Sequence, residues 1–296
     1  MTALTFERLL QSINGKFGIH DISCPLCGPE RRSPSNRVRP VLRVWYVSPN
    51  FISFVCARCG EEGFVRDWDA PKMNAVTRAR VSSELEQHRR AGAAERLRKA
   101  LALWRSHQPL RGTIAETYLR EARFYGGPLP PTLGFLPARD EYPPAMIAAF
   151  GIPDEPDPGV MMLPDASLTG VHLTRLAPDG SDRHRGEKAK IMIGHSKGWP
   201  IVLSPPTDGL ALIIAEGIES SLSGFDATGL CAWAAGSASR LPALVHAIPN
   251  WVECATILAD DDVDGRRHAA SLAQAAKERG LEVRFRVFGQ REDSAA

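Results

Sequence analysis

The sequence lacks any long apolar run and any recognisable export signal. No stretch approaches the roughly 18 consecutive apolar residues of a membrane-spanning helix, so we expect no membrane partner. The N-terminal segment lacks the charged region and long apolar stretch of a signal peptide, and it predicts a short amphipathic helix instead. We therefore expect a cytoplasmic, reducing environment, in which cysteines bind metal or remain thiols.

The sequence also lacks a strong overall charge and a nucleotide-binding P-loop. Its 36 Lys and Arg residues almost balance 34 Asp and Glu residues, which excludes a polycation. The pattern GxxxxGK[ST] is absent, which argues against ATP-driven unwinding. The basic residues are nevertheless clustered, with five arginines and no acid between residues 31 and 45. Such local blocks favour a nucleic-acid partner, although solvated arginine-rich faces are the alternative.

Composition divides the chain into four regions. We predict a cysteine-containing β domain at 15–70, a helical linker region at 75–135, a small β-rich unit at 140–207 and an α/β domain at 208–289. In the last region the apolar segments ALIIA, CAWAA, ATILA and EVRFRVF alternate with helical segments. This alternation with short connections predicts a parallel sheet covered on both faces.

Four of the six cysteines form two CxxC pairs, each followed by glycine: Cys24 with Cys27, and Cys56 with Cys59. A two-residue spacer lets both thiolates of a pair face one ion, and two pairs supply the tetrahedral sulfur set that zinc prefers. The segments between them predict two paired strands. We therefore predict a zinc ribbon with structural Zn²⁺, and a redox CxxC is the alternative. Cys231 and Cys254 fall in predicted core strands and are expected to be buried thiols.

The predicted ribbon carries arginines interleaved with aromatic residues. Bases stack on aromatic rings while guanidinium groups follow the phosphates, so this composition is typical of surfaces that bind single-stranded nucleic acid. About half of the aromatics are expected to fill the core of the ribbon itself. The predicted binding residues here are Arg37, Arg39, Arg43 and Trp45.

Acidic residues directly follow two predicted strands of the C-terminal region. Glu216 follows ALIIA, and Asp260 and Asp262 follow ATILA. If both strands belong to one parallel sheet, the three carboxylates emerge at its carboxyl edge, where open α/β sheets bind ligands. Their oxygens favour Mg²⁺ or Mn²⁺, which would support phosphoryl transfer. The alternative for DDDVDG is a helix N-cap cluster, and Asp264 is the residue we expect to cap.

These acids resemble the Toprim signature of bacterial-type primases, topoisomerases and some nucleases. The matching residues are Glu216-Gly217 and Asp260-x-Asp262-x-x-Gly265, and the resemblance covers 208–289. It implies a Rossmann-like α/β fold with a parallel sheet. Many Toprim primases have Asp where this chain has Ser220, which leaves Glu219 as a candidate substitute. EGIESSLS is similar to the form found in primase-like proteins of phages and mobile elements.

The order of zinc ribbon, helical segment, β-rich unit and Toprim region resembles a primase half without its helicase. The resemblance implies a DNA primase-like nucleotidyltransferase that makes short RNA primers from ribonucleoside triphosphates on single-stranded DNA. It implies Glu216, Asp260 and Asp262 as catalytic ligands of Mg²⁺ or Mn²⁺, and a separate replicative helicase as a candidate partner. It also implies Arg175, Lys188 and Lys190 as residues that hold template or triphosphate.

Two other functions remain open. A Toprim nuclease would use similar acids with water as the nucleophile. A non-catalytic DNA-binding replication accessory protein would bind no metal of consequence at these acids.

Overall fold

The computed structural model of the chain describes residues 4–30, 34–70, 74–186, 189–207 and 209–287. Contacts divide the chain into two compact units, Met1–Gly92 and Ala93–Ala296. None of the helices in the described ranges is both long and apolar enough to span a bilayer.

The first unit is built on an antiparallel sheet of four strands in the order β1-β2-β3-β4. The strands are β1 (Gly18–Ser23), β2 (Pro40–Ser48), β3 (Phe51–Cys56) and β4 (Glu62–Arg66). Helix α1 (Phe6–Ser12) begins at Thr5, whose side chain accepts from the backbone N–H of Arg8, and a short helix α2 (Pro34–Arg37) precedes β2. The sequence predicts β2 and β3, and the structure adds an outer strand on each side.

Side chains alternate between the two faces of this sheet, as the pleat of a strand requires. Leu42, Val44 and Ile52 are fully buried and form a core with Leu9 of α1. Phe54 also lies in this core, so its ring fills the ribbon and is withdrawn from the surface. The opposite face carries Trp45 and the other partly exposed side chains of β2 and β3.

Helix α3 (Ala75–Arg105) leads into the second unit. That unit contains an antiparallel sheet of five strands in the order β11-β10-β7-β6-β5. The strands are β5 (Gln108–Pro109), β6 (Leu133–Leu136), β7 (Ala145–Phe150), β10 (Gly170–Arg175) and β11 (Lys190–Gly194). Between β7 and β10 lies the hairpin of β8 (Asp154–Asp157) and β9 (Val160–Met162), followed by a 3-10 turn at Asp165–Ser167. We call this five-stranded sheet the middle sheet.

Helix α4 (Ile114–Thr117) packs beside the middle sheet and continues into a π-helical turn, Tyr118–Ala122. Thr113 caps α4 by accepting from the backbone N–H of Ala115 at 3.3 Å. The π turn buries Tyr118 and Leu119 completely. π-helical turns are rare in proteins, and those that occur are often found at functional sites. This turn places Tyr118 next to α5.

The C-terminal sheet has the order β12-β14-β13-β15-β16, with β12 antiparallel and the other four strands parallel. Its strands are β12 (Ile201–Val202), β13 (Ala211–Ala215), β14 (Cys231–Ala234), β15 (Cys254–Ala259) and β16 (Glu282–Val287). The connections contain α5 (Ile218–Thr228), a 3-10 helix (Ala238–His246) and α6 (Val263–Glu278). The fold class predicted from the sequence is confirmed.

Both faces of the C-terminal sheet are covered, which explains why its central strand is apolar throughout. Leu212 and Ile214 pack in one core with the 3-10 helix and α6. Ile213 points the other way, into a core that α5 and residues of the middle sheet share. A strand buried on both faces must be apolar at every position, and ALIIA meets that condition.

Candidate zinc centre and candidate active site

The four cysteines of the ribbon converge on one point. Their sulfur atoms all lie within 4.8 Å of one another. The Sγ atoms of Cys24 and Cys59 are 4.0 Å apart, and those of Cys27 and Cys56 are 3.9 Å apart. Four thiolates at about 2.3 Å from a central zinc would be separated by about 3.8 Å. The donor set therefore fits tetrahedral Zn²⁺.

The backbone of each CxxC turn supports this arrangement. A Cβ at Gly28 would lie 2.6 Å from the carbonyl oxygen of Cys24, so only glycine allows the first turn to close. Gly60 has φ +75°, in the region that favours glycine. Burial opposes ionisation of the Cys56 thiol, but the backbone N–H groups of Cys59 and Arg58 lower its pKa to about 7. A thiolate is the form that binds zinc.

The outer face of the ribbon carries a cluster of aromatic rings around one arginine, which we call the Arg66 cluster. The guanidinium of Arg66 lies 5.4 Å from the ring centres of Phe51 and Trp68 and 5.7 Å from that of Phe64. Phe64 is 62% exposed and Trp68 82% exposed. Three members, Phe64, Arg66 and Trp68, were not predicted from the sequence, because they follow the second CxxC pair and lie outside the segment between the two pairs.

The predicted nucleic-acid residues of the ribbon lie on its surface with different environments. Arg43 donates two hydrogen bonds of 2.7 Å to the carboxylate of Asp21. Both side chains are about half exposed, so this ion pair contributes about 0–1 kcal/mol to stability. Arg39 is exposed, and Arg37 ends α2 on the surface. Trp45 is partly buried, on the outer face between Ile19 and Ser53.

The predicted carboxylates follow neighbouring parallel strands of the C-terminal sheet. Ala215 at the end of β13 pairs with Leu258 of β15, so Glu216 and Asp260 lie one and two residues beyond this pair. Adjacent strands are about 4.8 Å apart. The chain leaves β13 toward β14 on one side and later returns as β15 on the other. Glu216 and Asp260 therefore flank the topological switch point, where open α/β sheets bind ligands.

The carboxylates act on one another electrostatically. Burial raises the pKa of Glu216, and the negative charge of Asp260 adds to this rise, with a smaller contribution from Asp262. The backbone N–H of Ala238 and the ammonium of Lys190 act in the opposite direction. A partly buried carboxylate beside other acids is the electrostatic setting that a divalent cation relieves.

Asp262 caps α6, a role that the sequence predicted for Asp264. The carboxylate of Asp262 accepts from the backbone N–H of Gly265 at 2.7 Å and caps α6. Asp264 instead forms an exposed ion pair of 2.7 Å with Arg267, so the prediction that Asp264 caps the helix is wrong. Gly265 is also constrained, because a Cβ there would lie 2.9 Å from the carbonyl oxygen of Asp260.

Among the described residues, only the cysteine group brings three or more His, Cys, Asp or Glu side chains close enough to hold an ion. Glu216, Asp260 and Asp262 do not form such a closed set. They suit a hydrated Mg²⁺, which usually keeps several waters and takes one or two carboxylates together with substrate phosphates. Their role as ligands stays a prediction.

Glu219, the candidate substitute for the aspartate missing at Ser220, contacts the π turn. Its carboxylate accepts a 2.6 Å hydrogen bond from the hydroxyl of Tyr118 in the π turn. Burial opposes ionisation of Glu219, but Lys190 and then the Tyr118 hydroxyl hold its pKa below the ordinary value. It is Ser220 whose hydroxyl points to Asp260, at 3.5 Å.

The strand pleat separates the predicted basic residues of the middle sheet. Lys190 pairs with Thr174 across β10 and β11, so both face the same side as His172. That side is the one that packs toward α5 of the C-terminal sheet. Arg175 is one residue out of phase with Thr174, and its side chain lines a surface pocket with Tyr142 and His184. The pleat therefore puts Lys190 and Arg175 on opposite faces of the middle sheet. The charge of Lys190 acts on Glu216, and Lys188 lies outside the described residues.

The fold and these features define an α/β protein with a four-cysteine ribbon and with acids that follow neighbouring strands at the switch point of a parallel sheet. Residues 211–295 match the family described as Toprim domain, and the C-terminal sheet with its helices is a Toprim domain. The resemblance based on Glu216-Gly217 and the DxDxxG motif is thereby confirmed. Residues 94–203, which include the middle sheet, match a family described as a domain of unknown function, DUF7146.

No curated protein matches the chain in sequence. Among solved structures, the chain is similar to the zinc-binding and RNA polymerase domains of the Aquifex aeolicus primase. That match has a TM-score of 0.42 and 14% identity, and it covers 94% of this chain and 76% of the other. A second similar structure is the primase fragment of the bacteriophage T7 primase-helicase protein. Its TM-score is 0.34 at 11% identity, covering 90% of this chain and 89% of that one.

Proposed function

We propose that this protein is a primase-like enzyme that synthesises short RNA primers on single-stranded DNA by metal-dependent nucleotidyl transfer. The observation that carries the proposal is the placement of Glu216 and Asp260 at the ends of neighbouring parallel strands in a Toprim domain. Burial raises the pKa of Glu216, and repulsion from Asp260 raises it further. A divalent cation bound at this edge of the sheet would relieve both unfavourable effects.

In this proposal Glu216, Asp260 and the second carboxylate oxygen of Asp262 hold Mg²⁺ or Mn²⁺. When bound, the ion would stabilise the negative charge that develops on the transferring phosphate. The residues of the chain would orient the substrates: Lys190 supplies a positive charge beside the acids, and a lysine ammonium pairs well with phosphate oxygens.

The ribbon is proposed to bind the DNA template, with zinc as a structural ion. The exposed rings of Phe64 and Trp68 offer stacking surfaces, and Arg66 between them offers a cation. Base stacking on aromatic side chains contributes about 1–3 kcal/mol per base and tolerates any sequence. A separate helicase partner and a reducing compartment stay predictions.

The test is a primer-synthesis assay on single-stranded DNA with ribonucleotides and Mg²⁺ or Mn²⁺. Wild type should produce short RNA, and Asp260→Ala should produce at least a hundredfold less, since each 1.36 kcal/mol of lost transition-state stabilisation is about tenfold in rate. The matched control is Asp261→Ala, because Asp261 is adjacent but pairs with Arg266 and should keep most activity.

Other outcomes select other functions. Metal-dependent cleavage of nucleic acid without RNA synthesis would identify a nuclease. DNA binding without synthesis or cleavage, unchanged by Asp260→Ala, would identify a non-catalytic accessory protein. Either outcome contradicts the proposal.

A further inference from the structure

Strand β4 lies at the edge of the ribbon sheet and, among the described residues, pairs only with β3. The backbone N–H of Cys56 donates to the carbonyl oxygen of Glu61, and that of Asp67 donates to the carbonyl oxygen of Asn50. Bonds of this kind recur at every second residue of an antiparallel pair. Every second residue of β4, starting at position 62, therefore turns its N–H and C=O groups away from the sheet.

This free edge carries opposite charges at equal distances from an aromatic residue. Glu62 and Arg66 lie two residues before and two residues after Phe64, and all three are exposed. Within the part of the chain that the structure describes, neither Glu62 nor Arg66 belongs to an ion pair. The strand contains no proline or lysine, the residues that often protect a free edge from pairing.

Two antiparallel copies of β4 satisfy this edge when the two Phe64 residues lie opposite each other. In that register Glu62 of each copy lies opposite Arg66 of the second copy, and the twofold axis produces the ion pair twice. All the opposed residues are ones whose N–H and C=O groups point outward, so each pair exchanges backbone hydrogen bonds. Opposed side chains lie on the same face of a sheet, so each carboxylate meets a guanidinium.

Other arrangements of the two strands lose this match. A parallel pairing in register would place Glu62 beside Glu62 and Arg66 beside Arg66, and like charges at facing positions are destabilising. In the antiparallel register the next residues outward are Glu61 and Asp67, which lie outside β4. The carboxylate of Asp67 accepts from the backbone N–H of Asp69 at 3.0 Å, which holds it against its own chain.

The edge also exposes apolar surface. Phe64 is 62% exposed, and in the antiparallel register the two Phe64 rings lie side by side at the centre of the contact, where they shield each other from water. Charges on an edge strand often keep other chains away. Here the two signs are placed symmetrically about the centre, so they attract a second copy of the same strand.

We propose that β4 is a dimerisation edge, at which two copies of this chain join their four-stranded ribbons into one antiparallel sheet of eight strands. The proposal goes beyond the proposed function and does not depend on it, because it uses only the edge of the ribbon. The outer faces of the two ribbons, each with its Arg66 cluster, then form one continuous surface. Because the paired segment is short, the interface is small and the dimer dissociates on dilution.

The experiment measures the mass of the full zinc-loaded chain, freed of nucleic acid, by sedimentation velocity over a series of micromolar concentrations. Wild type should change from monomer to dimer as its concentration rises. Glu62→Arg and Arg66→Glu should each raise the dissociation constant of the dimer at least tenfold, because each places like charges opposite each other twice. The matched control Glu84→Arg makes the same charge change at an exposed position of α3 and should stay within twofold.

Exchanging the charges tests the register. The double variant Glu62→Arg/Arg66→Glu should dimerise within about threefold of wild type, because both ion pairs form again with their signs exchanged. An equimolar mixture of the two single variants should form a heterodimer, since one edge then carries two cations and the other two anions. Zinc content and thermal melting of each variant should match wild type, because neither side chain belongs to an ion pair within the described residues of its own chain.

The proposal is overturned if wild type stays monomeric at every concentration. It is also overturned if both single variants dimerise like wild type, or if their mixture stays monomeric while each keeps its zinc. A dimer with the expected charge dependence in a protein that makes no RNA leaves the dimerisation edge standing and refutes the proposed function. Primer synthesis by a protein that stays monomeric refutes the dimerisation edge and leaves the proposed function standing.

Discussion

The cysteine group and the carboxylate edge are two candidate metal centres that the fold assembles to different degrees. The cysteines lie at nearly the separations of a filled zinc site. The carboxylates follow adjacent strands, repel one another and do not close into a ligand set of this kind. The difference is the one expected between a closed structural site and an open catalytic site, and it implies that loss of each metal has different consequences.

Loss of zinc should have the largest effect. Cys56→Ser should abolish stoichiometric zinc and unfold the ribbon, because structural zinc contributes about 10–16 kcal/mol of binding free energy at neutral pH. The second unit has its own cores and should keep its thermal transition. Zinc content by elemental analysis and calorimetric melting measure both effects. Cys254→Ser is the matched control and should retain zinc. A zinc-free wild-type protein purified without chelator would refute the centre.

The two roles of Asp262 can be separated by two substitutions. Asp262→Ala should remove nucleotidyl transfer by orders of magnitude and also cost about 1 kcal/mol, the usual contribution of an N-cap. Asp262→Asn should remove the same activity but keep the stability, since asparagine caps nearly as well. Asp264→Asn is the control and should affect both little. Equal activity in Asp262→Asn and wild type would show that Asp262 only caps α6.

Tyr118→Phe should test the contact between the π turn and α5. Removing a hydrogen bond to a charged group should cost about 1.5–3 kcal/mol. In the folded protein the pKa of Glu219 is held below its ordinary value. The ionised carboxylate therefore stabilises the fold at pH values above the ordinary pKa, and this stabilisation is lost as the pH falls through the pKa of the folded state. The penalty should therefore be full at pH 7 and shrink below about pH 4. Denaturant unfolding across pH measures it, and a pH-independent penalty would contradict the ionic hydrogen bond.

Asp260→Asn should stabilise the protein when Mg²⁺ is absent. The negative charge of Asp260 helps to raise the pKa of Glu216, so neutralising it relieves repulsion at neutral pH. We expect Tm to rise by about 2–4 °C, the shift given by about 1 kcal/mol in a domain of this size. Adding Mg²⁺ should stabilise wild type more than the variant. A lower Tm for Asp260→Asn in chelator would show that the carboxylate is already compensated.

The smallest expected effect concerns the surface of the ribbon. Replacing Arg37, Arg39 and Arg43 together by glutamine should reduce the salt dependence of single-stranded DNA binding. Each phosphate contact contributes about 0.7 to the log–log slope on single strands. Replacing Phe64 and Trp68 by alanine should instead weaken binding with little change of slope, since stacking carries no charge. An unchanged slope in the arginine variant would move the phosphate contacts to another surface.

Much of the fold and of both centres could be predicted because their signals are local. The CxxC spacing fixes two ligands at a time, and the apolar segments ALIIA and ATILA mark strands buried on both faces. Phe64, Arg66 and Trp68 were not predicted, because they follow the second CxxC pair and only the pairing of β3 with β4 brings them beside Phe51. The sequence could not decide whether Asp262 or Asp264 caps α6, because both lie near the start of this helix. The exact first residue of the helix decides which carboxylate reaches its free backbone N–H groups.

What the sequence determined by itself was the chemistry of each group: sulfur for a soft, tetrahedral ion, carboxylates for a hard one, and the strands after which the acids come. What only the tertiary structure decided was which groups share a site. Strand order set Glu216 beside Asp260, and the pleat of β10 and β11 put Lys190 and Arg175 on opposite faces of the middle sheet. The π turn placed the hydroxyl of Tyr118 where it donates to Glu219. Long-range packing brings these distant residues together, and their separation in the sequence does not record it.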